Sequence, residues 1–269
     1  TPLFLEKGSG CHVYDIDGNK YIDLISGLLS VSLGYNIKEI NKKIQRQLNK
    51  GITLSLPSLL ENELAKKIIS EVPSAEMVRF AKNGSDVTSA AIRLSRMITK
   101  KKIVLTCGYH GWHEWYIGKT TMNAGIPNEM FVNTKTFKFN DINSFEKIFN
   151  KNKKNIAAVI LEPMNIDWPN IKFLKKIRAM CSKNKSILIF DEICTGFRFS
   201  LGGAQKLFGI TPDLTTLGKG MGNGFPISAL AGKRKLMNKC DKIFFSSTFG
   251  GETLSLVSAI SVINFIKKK

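Results

Sequence analysis

The strongest constraint in this sequence lies in Ser186–Gly224, where one apolar run ends in acidic residues and a second ends in a lysine between glycines. Ser186–Phe190 is short and rich in Ile and Leu, the pattern of a strand buried on both faces, and it closes on Asp191 and Glu192. A carboxylate placed there needs a cationic partner. Asp213–Leu217 is a second strand-like run, closing on Gly218, Lys219 and Gly220, whose small neighbours allow close approach to the lysine. Open parallel sheets bind ligands at the C-terminal edge of their strands.

An Asp and a Lys delivered to one sheet edge suit a cofactor held at a ring nitrogen and bonded through an amine, the pattern of pyridoxal phosphate with its Schiff-base lysine. Two other readings of the glycine-rich run fail on spacing. A G-x-x-x-x-G-K-[ST] phosphate loop needs Gly at 213 and Ser or Thr at 220, where the chain has Asp213 and Gly220. A G-x-G-x-x-G dinucleotide turn needs Gly at 223, which is Asn223. A solvated loop lysine is the ordinary reading of an isolated Lys in so lysine-rich a chain, and only the surrounding motifs argue against it.

Those motifs are DEICTGFR at Asp191–Arg198, GGAQKLFGITPDLTTLGKGMGNGFP at Gly202–Pro226 and STFGGETLS at Ser247–Ser255. They resemble the class III (subgroup II) aminotransferases of pyridoxal-phosphate fold type I, with glutamate-1-semialdehyde 2,1-aminomutases and their aminotransferase relatives as the best match. The resemblance runs through nearly the whole chain in the same order. It implies an α/β fold whose large domain has a mostly parallel central sheet flanked by helices. Residues 1–50 would form an N-terminal hairpin and helix segment and 51–269 the cofactor-binding large domain, with the family's C-terminal small domain missing.

Composition bounds the alternatives. With 269 residues, 43% of them hydrophobic, the chain can build an ordinary globular core. No apolar run approaches the roughly 18 residues of a membrane span. The first residues carry no charged-then-apolar leader, which gives secretion no support. Five scattered cysteines without a C-x-x-C are expected to be reduced cytoplasmic thiols. The net charge of +19 is carried mostly by Lys on helix-like segments such as Ile37–Lys50 and Ile171–Lys185, a pattern of solvated faces rather than a nucleic-acid site, although it can draw in anionic substrates.

Along the chain, His12–Leu24 alternates about Asp17 and Gly18, a hairpin signal. Asn36 is expected to cap a helix ending at Gly51, and a second helix spans about Ser58–Glu71. Met77–Ala81 reads as a strand, followed by Asn83, Gly84, Ser85 and Asp86 and a helix from Val87 to Met97. Such a turn offers backbone N–H groups, a hydroxyl and the positive end of a helix dipole to a phosphate, and it is equally an ordinary helix start. Asp86 must turn away from any dianion bound there.

Lys102–Thr106 reads as a strand leading into CGYHGWHEW. Cys107, His110 and His113 lack a fourth ligand, so no metal is expected. Tyr109 offers a flat face for stacking, or simply fills a core. Gly118–Phe139 reads as a long excursion, Asp141–Phe149 as a helix, and Ile156–Leu161 as a buried strand ending in Glu162, which is either a turn residue or site-directed. The helix Ile171–Asn184 then feeds Ser186, a repetition that supports right-handed crossovers and a parallel sheet. Pro226–Ala231 and Ile243–Ser247 resemble further strands, and Thr253–Lys269 a helix.

The resemblance implies the site. Lys219 forms the Schiff base with pyridoxal 5'-phosphate, and Asp191 pairs with the pyridine nitrogen. Gly84 and Ser85 grip the phosphate, Tyr109 and Ile193 cover the two ring faces, and Glu162 of the LEP motif stands near the cofactor. Thr248 reaches the phosphate of the neighbouring subunit, which implies a homodimer. The expected activity is transfer of an amino group from a small-molecule amino donor to a keto or aldehyde acceptor. The alternatives are intramolecular exchange by an aminomutase, or an inactive fragment. Leu28 stands where the mutases would carry a substrate-side aromatic residue.

Overall fold

The Ile/Leu-rich run before Asp191 does what its pattern predicts: in the computed structural model, which describes residues 3–268, every residue of Ile187–Glu192 is buried. Among the described residues there are two sheets. A small antiparallel one joins β1 (Leu5–Ser9), β2 (His12–Asp15) and β3 (Lys20–Ile22). Asp15 fixes the expected β2–β3 turn by accepting from Asn19 N at 2.8 Å, Asn19 Nδ2 at 3.0 Å and Tyr21 OH at 2.9 Å.

The central sheet has seven strands: β4 (Met77–Ala81), β5 (Ile103–Cys107), β6 (Thr134–Thr136), β7 (Ile156–Leu161), β8 (Ile187–Glu192), β9 (Leu214–Leu217) and β10 (Ser228–Gly232). Their spatial order is β4-β10-β9-β8-β7-β5-β6, and only β10 runs against the rest. The chain leaves β5 for β6 on one side and leaves β7 for β8 on the other. That reversal opens a crevice at the C-terminal strand edge between them, the place where an open α/β sheet takes a ligand.

Period-two alternation divides the core between the two faces. Val104, Ile160, Ile189 and Leu214 pack against helix Gly84–Thr99 through Val87, Ala91 and Leu94. On the opposite face, Leu105, Val159, Leu188 and Phe190 meet Phe145 and Phe149 of helix Ile142–Asn152 and Phe173 and Ile177 of helix Ile171–Asn184. Beyond β9 that face is covered by helices Leu59–Glu71 and Thr253–Lys267, through Leu64, Ile68, Leu256 and Ile260. Ser58 and Glu61 form a capping box on the first of these.

Several expectations are corrected. Asn36 does not cap the next helix: it is left-handed (φ 57), Ile37 takes the cap position, and the helix runs Lys38–Leu48. Ile243–Ser247 is not a strand, because Cys240–Ile243 is a 3₁₀ turn and Phe244 is left-handed (φ 48). Ile243 and Phe245 still pack against one core cluster, from a turn rather than from a paired strand. The Gly118–Phe139 excursion contains the strand β6. The last helix ends at Lys267, and Lys269 lies outside the described residues. No helix of the described residues is long and apolar enough to cross a membrane.

Candidate active site

Parallel pairing of β7, β8 and β9 brings their C-terminal ends to one cavity of about 330 Å³. Gly84, Ser85, Tyr109, Glu162, Asp191, Ile193 and Lys219 all line it. Thr248 does not; it lies exposed in a turn that follows the 3₁₀ segment.

Asp191 continues the face of Ile189, so it points toward the helix Gly84–Thr99 side, while Glu192 points the other way. Asp191 is 2% exposed. Its Oδ2 is 2.7 Å from His110 Nδ1, and its Oδ1 accepts from Thr216 Oγ1 at 2.9 Å and Ile193 N at 3.2 Å. An ionised Asp191 requires the His110 proton on Nδ1, and His110 Nε2 is buried with no hydrogen-bond partner among the described residues. Glu192 is fully buried under helix Gly203–Phe208, accepting from Thr195 Oγ1, Ala204 N and Gln205 N. Of the two adjacent acids, one therefore faces the cavity and the other anchors the opposite layer.

Glu162 follows β7 and is 8% exposed. Its Oε2 accepts from Tyr109 N at 2.9 Å and Asn165 Nδ2 at 2.7 Å, which ties the aromatic turn after β5 to the end of β7. Burial raises its pKa above the ordinary glutamate value, against the pull of the Tyr109 N–H. Lys219 follows β9 in a left-handed conformation (φ 42), half-buried, with Nζ 2.8 Å from Cys194 Sγ. Burial pushes the Cys194 thiol up, and the Lys219 contact works in the opposite direction.

The Gly84–Ser85 turn opens a sixteen-residue helix. Asp86 bends back, its Oδ2 accepting from Asn83 N at 2.9 Å, which keeps its charge on the cap and off the helix-end N–H groups. Ser85 Oγ accepts from Trp112 N at 3.2 Å. A methyl group on Gly111 would fall 2.2 Å from that oxygen, so the glycine keeps the space beside Ser85 open.

This donor set fits pyridoxal 5'-phosphate. A helix N-terminus with a serine hydroxyl suits a phosphate, a buried oriented carboxylate suits a protonated ring nitrogen, and a half-buried amine suits the aldehyde. The zinc spacing has other uses: Cys107 is in the core, His110 contacts Asp191, and His113 Nδ1 is 2.7 Å from Ser89 Oγ.

Besides the partnership of His110 with Asp191, sequence reasoning missed three contributors. Thr216 meets Asp191 through the β8–β9 register, and Cys194 meets Lys219 because both follow paired strand ends. Lys82 lines the cavity while its Nζ donates to Glu252 Oε2 at 2.9 Å. The adjacent Gly84–Ser85 motif was the available signal for Lys82; for the other two, none existed without the register.

Comparison with known proteins agrees with the geometry. The family described as aminotransferase class-III matches residues 1–269. A 3-aminobutyryl-CoA aminotransferase of Cloacimonas acidaminovorans is 40% identical over 99% of this chain and 66% of its own length. A glutamate-1-semialdehyde 2,1-aminomutase of Saccharolobus islandicus is 37% identical over all of this chain and 67% of its own. The FumI protein of Sphingopyxis sp. MTA144, solved in its PLP internal aldimine form, superposes with a TM-score of 0.94 at 30% identity, over 99% of this chain and 66% of that one. The chain thus spans about two thirds of the length of these relatives. On the match over its whole length, the chain belongs to the class III aminotransferases, the pyridoxal 5'-phosphate-dependent transferases of fold type I.

Proposed function

We infer that the protein moves an amino group from a small-molecule amino donor to a keto or aldehyde acceptor, using Lys219 as the covalent cofactor lysine. The observation that carries this reading is the convergence of Asp191 and Lys219, from adjacent parallel strands, on one cavity. Bound there, pyridoxal 5'-phosphate supplies an electron-accepting ring conjugated to an aldehyde.

The chain's own groups supply the rest. The Gly84 and Ser85 N–H groups and the Ser85 hydroxyl hold the phosphate. Asp191, oriented by His110 and Thr216, keeps a proton on the ring nitrogen. Tyr109 and Ile193 cover the ring faces, and Glu162 holds the Tyr109 backbone in place. Lys219 Nζ, once free of the aldehyde, would take the proton from the carbon bearing the incoming amine and deliver it to the former aldehyde carbon, the shift that moves the amino group.

A homodimer in the cytoplasm is part of the same reading. Thr248 is exposed outside its own chain's cavity, as a residue serving a neighbour's phosphate would be. All five cysteines are free, which suits a reducing compartment. Intramolecular amino exchange is the second reading, favoured by the 37% identity to an aminomutase.

The deciding experiment fixes added pyridoxal 5'-phosphate with borohydride and maps the modified peptide. The label should fall on Lys219 and vanish in Lys219→Ala; a label on another lysine overturns the assignment. A donor screen then separates the two readings, since release of a keto acid accompanies transfer and not exchange.

A further inference from the structure

Of the five cysteines, Cys107, Cys181 and Cys240 are buried and Cys11 is exposed on the N-terminal hairpin, whereas Cys194 is partly exposed and lines the cavity. Its Sγ stands 2.8 Å from Lys219 Nζ. The contact is built by the fold. β8 and β9 pair in parallel with Glu192 opposite Leu217, so the segments just beyond them lie side by side. The Cys194 carbonyl accepts from Arg198 Nε at 3.1 Å, and the left-handed Lys219 backbone sets the opposite partner. A nucleophilic sulfur and a primary amine are thereby held together in a cavity that small solutes can enter.

We propose that Cys194 and Lys219 are a redox modification site, joined by peroxide whenever Lys219 is free of cofactor into a thiol-reversible sulfenamide that removes the lysine amine from use. In the first step Sγ attacks one oxygen of hydrogen peroxide and the O–O bond breaks. Sulfur is oxidised by two electrons to the sulfenic acid while the peroxide is reduced. The thiol proton passes through the neighbouring amine to the departing hydroxide, giving water. Burial opposes ionisation of this thiol, and the Lys219 Nζ contact at 2.8 Å favours it.

In the second step the Lys219 Nζ lone pair attacks the same sulfur. The Sγ–Nζ bond forms, the Sγ–O bond breaks, and hydroxide leaves with a proton from Nζ as a second water. Sulfenic acids condense in this way with nearby nitrogen. Two equivalents of an external thiol reverse the change, restoring Cys194 and Lys219 and forming one external disulfide. The chemical consequence rests on the reading of Lys219 as the cofactor lysine; the bond itself does not.

The test treats the protein with hydrogen peroxide, blocks free thiols and maps the digest by mass spectrometry. The expected product joins the Cys194 peptide to the Lys219 peptide, two hydrogens lighter than their sum. Dithiothreitol should reverse it, and Cys194→Ser and Cys194→Ala should both lack it. Prior borohydride fixation of pyridoxal 5'-phosphate on Lys219 should prevent it. Recovery of Cys194 as a sulfinic or sulfonic acid, or in a disulfide, with Lys219 unmodified, overturns the proposal.

A second arm measures borohydride-fixed cofactor after peroxide, which should fall and return with dithiothreitol. If the joined peptide forms but cofactor fixes on another lysine, the crosslink stands and the proposed function falls. If fixation on Lys219 is normal and no joined peptide forms, the function stands and the crosslink falls.

Discussion

Asp191 Oδ2 lies 2.7 Å from His110 Nδ1, and both side chains are sealed from solvent. The carboxylate proposed for the ring nitrogen is therefore itself aimed by a second ring, with Thr216 on its other oxygen. Hydrogen bonds to an ionised group are worth about 1.5–3 kcal/mol. His110→Ala should accordingly weaken cofactor retention by roughly 10- to 100-fold, using about 1.4 kcal/mol per decade. Asp191→Asn should both weaken retention and slow proton transfer. Cofactor dissociation constants and single-turnover rates separate the two, and wild-type values in His110→Ala would remove its positioning role.

Glu162 gives a pH-dependent prediction. Its folded pKa is raised above 4.5, chiefly by burial. Its favourable contribution is thus fully present below the unfolded value and is lost as pH rises through the folded one. Glu162→Gln does not titrate, so its unfolding free energy should improve relative to wild type as pH rises from about 4 through the folded pKa. Glu162→Ala instead strands the Tyr109 N–H and the Asn165 amide, costing about 1–3 kcal/mol. Urea titrations across pH test both, and a pH-independent difference between wild type and Glu162→Gln would contradict the burial argument.

Asp213 opens β9 at the edge away from Lys219. Burial would raise its pKa, but the Leu188 N–H, Arg178 at 2.9 Å and Lys233 at 2.9 Å together hold it below 3.8. A depressed carboxylate stabilises the fold above its unfolded value and loses that contribution as pH falls through the folded one. Asp213→Ala should therefore cost about 3 kcal/mol at neutral pH, with the difference shrinking below about pH 4. Borohydride fixation on Lys219 should be unchanged, which separates loss of stability from loss of the site.

The chain reveals these residues unequally. That Asp191, Lys219, Gly84 and Ser85 come to one cavity was legible because each sits at a recognisable element end, where an apolar run stops or a helix begins. The partners were not. Thr216 reads as one more strand residue until the β8–β9 register sets it beside Asp191, and Cys194 is a scattered cysteine until the same register brings it to Lys219. Ile243–Ser247 shows the converse failure, since an apolar run of strand length is turned by one left-handed residue, Phe244, into a core-packing bend. Asn36 fails for a related reason: a good capping residue one position early becomes a left-handed hinge. Local chemistry marks where chains turn, whereas pairing decides what meets there.

Gly111 tests the phosphate turn from a residue that is not itself a proposed phosphate ligand. It is left-handed (φ +96), and an added methyl group would stand 2.2 Å from Ser85 Oγ and 3.0 Å from Ser85 Cα. The backbone penalty alone is about 1–2 kcal/mol. Relief of the contact must move either the Tyr109–Trp112 turn or the start of helix Gly84–Thr99, and the Trp112 N–H to Ser85 bond at 3.2 Å breaks in either case. Gly111→Ala should therefore lower thermal stability and cofactor affinity together. Ser85→Ala, which keeps the backbone, should lower affinity with little loss of stability. Calorimetry beside equilibrium cofactor binding reads both quantities, and normal cofactor affinity in both variants would place the phosphate elsewhere in the cavity.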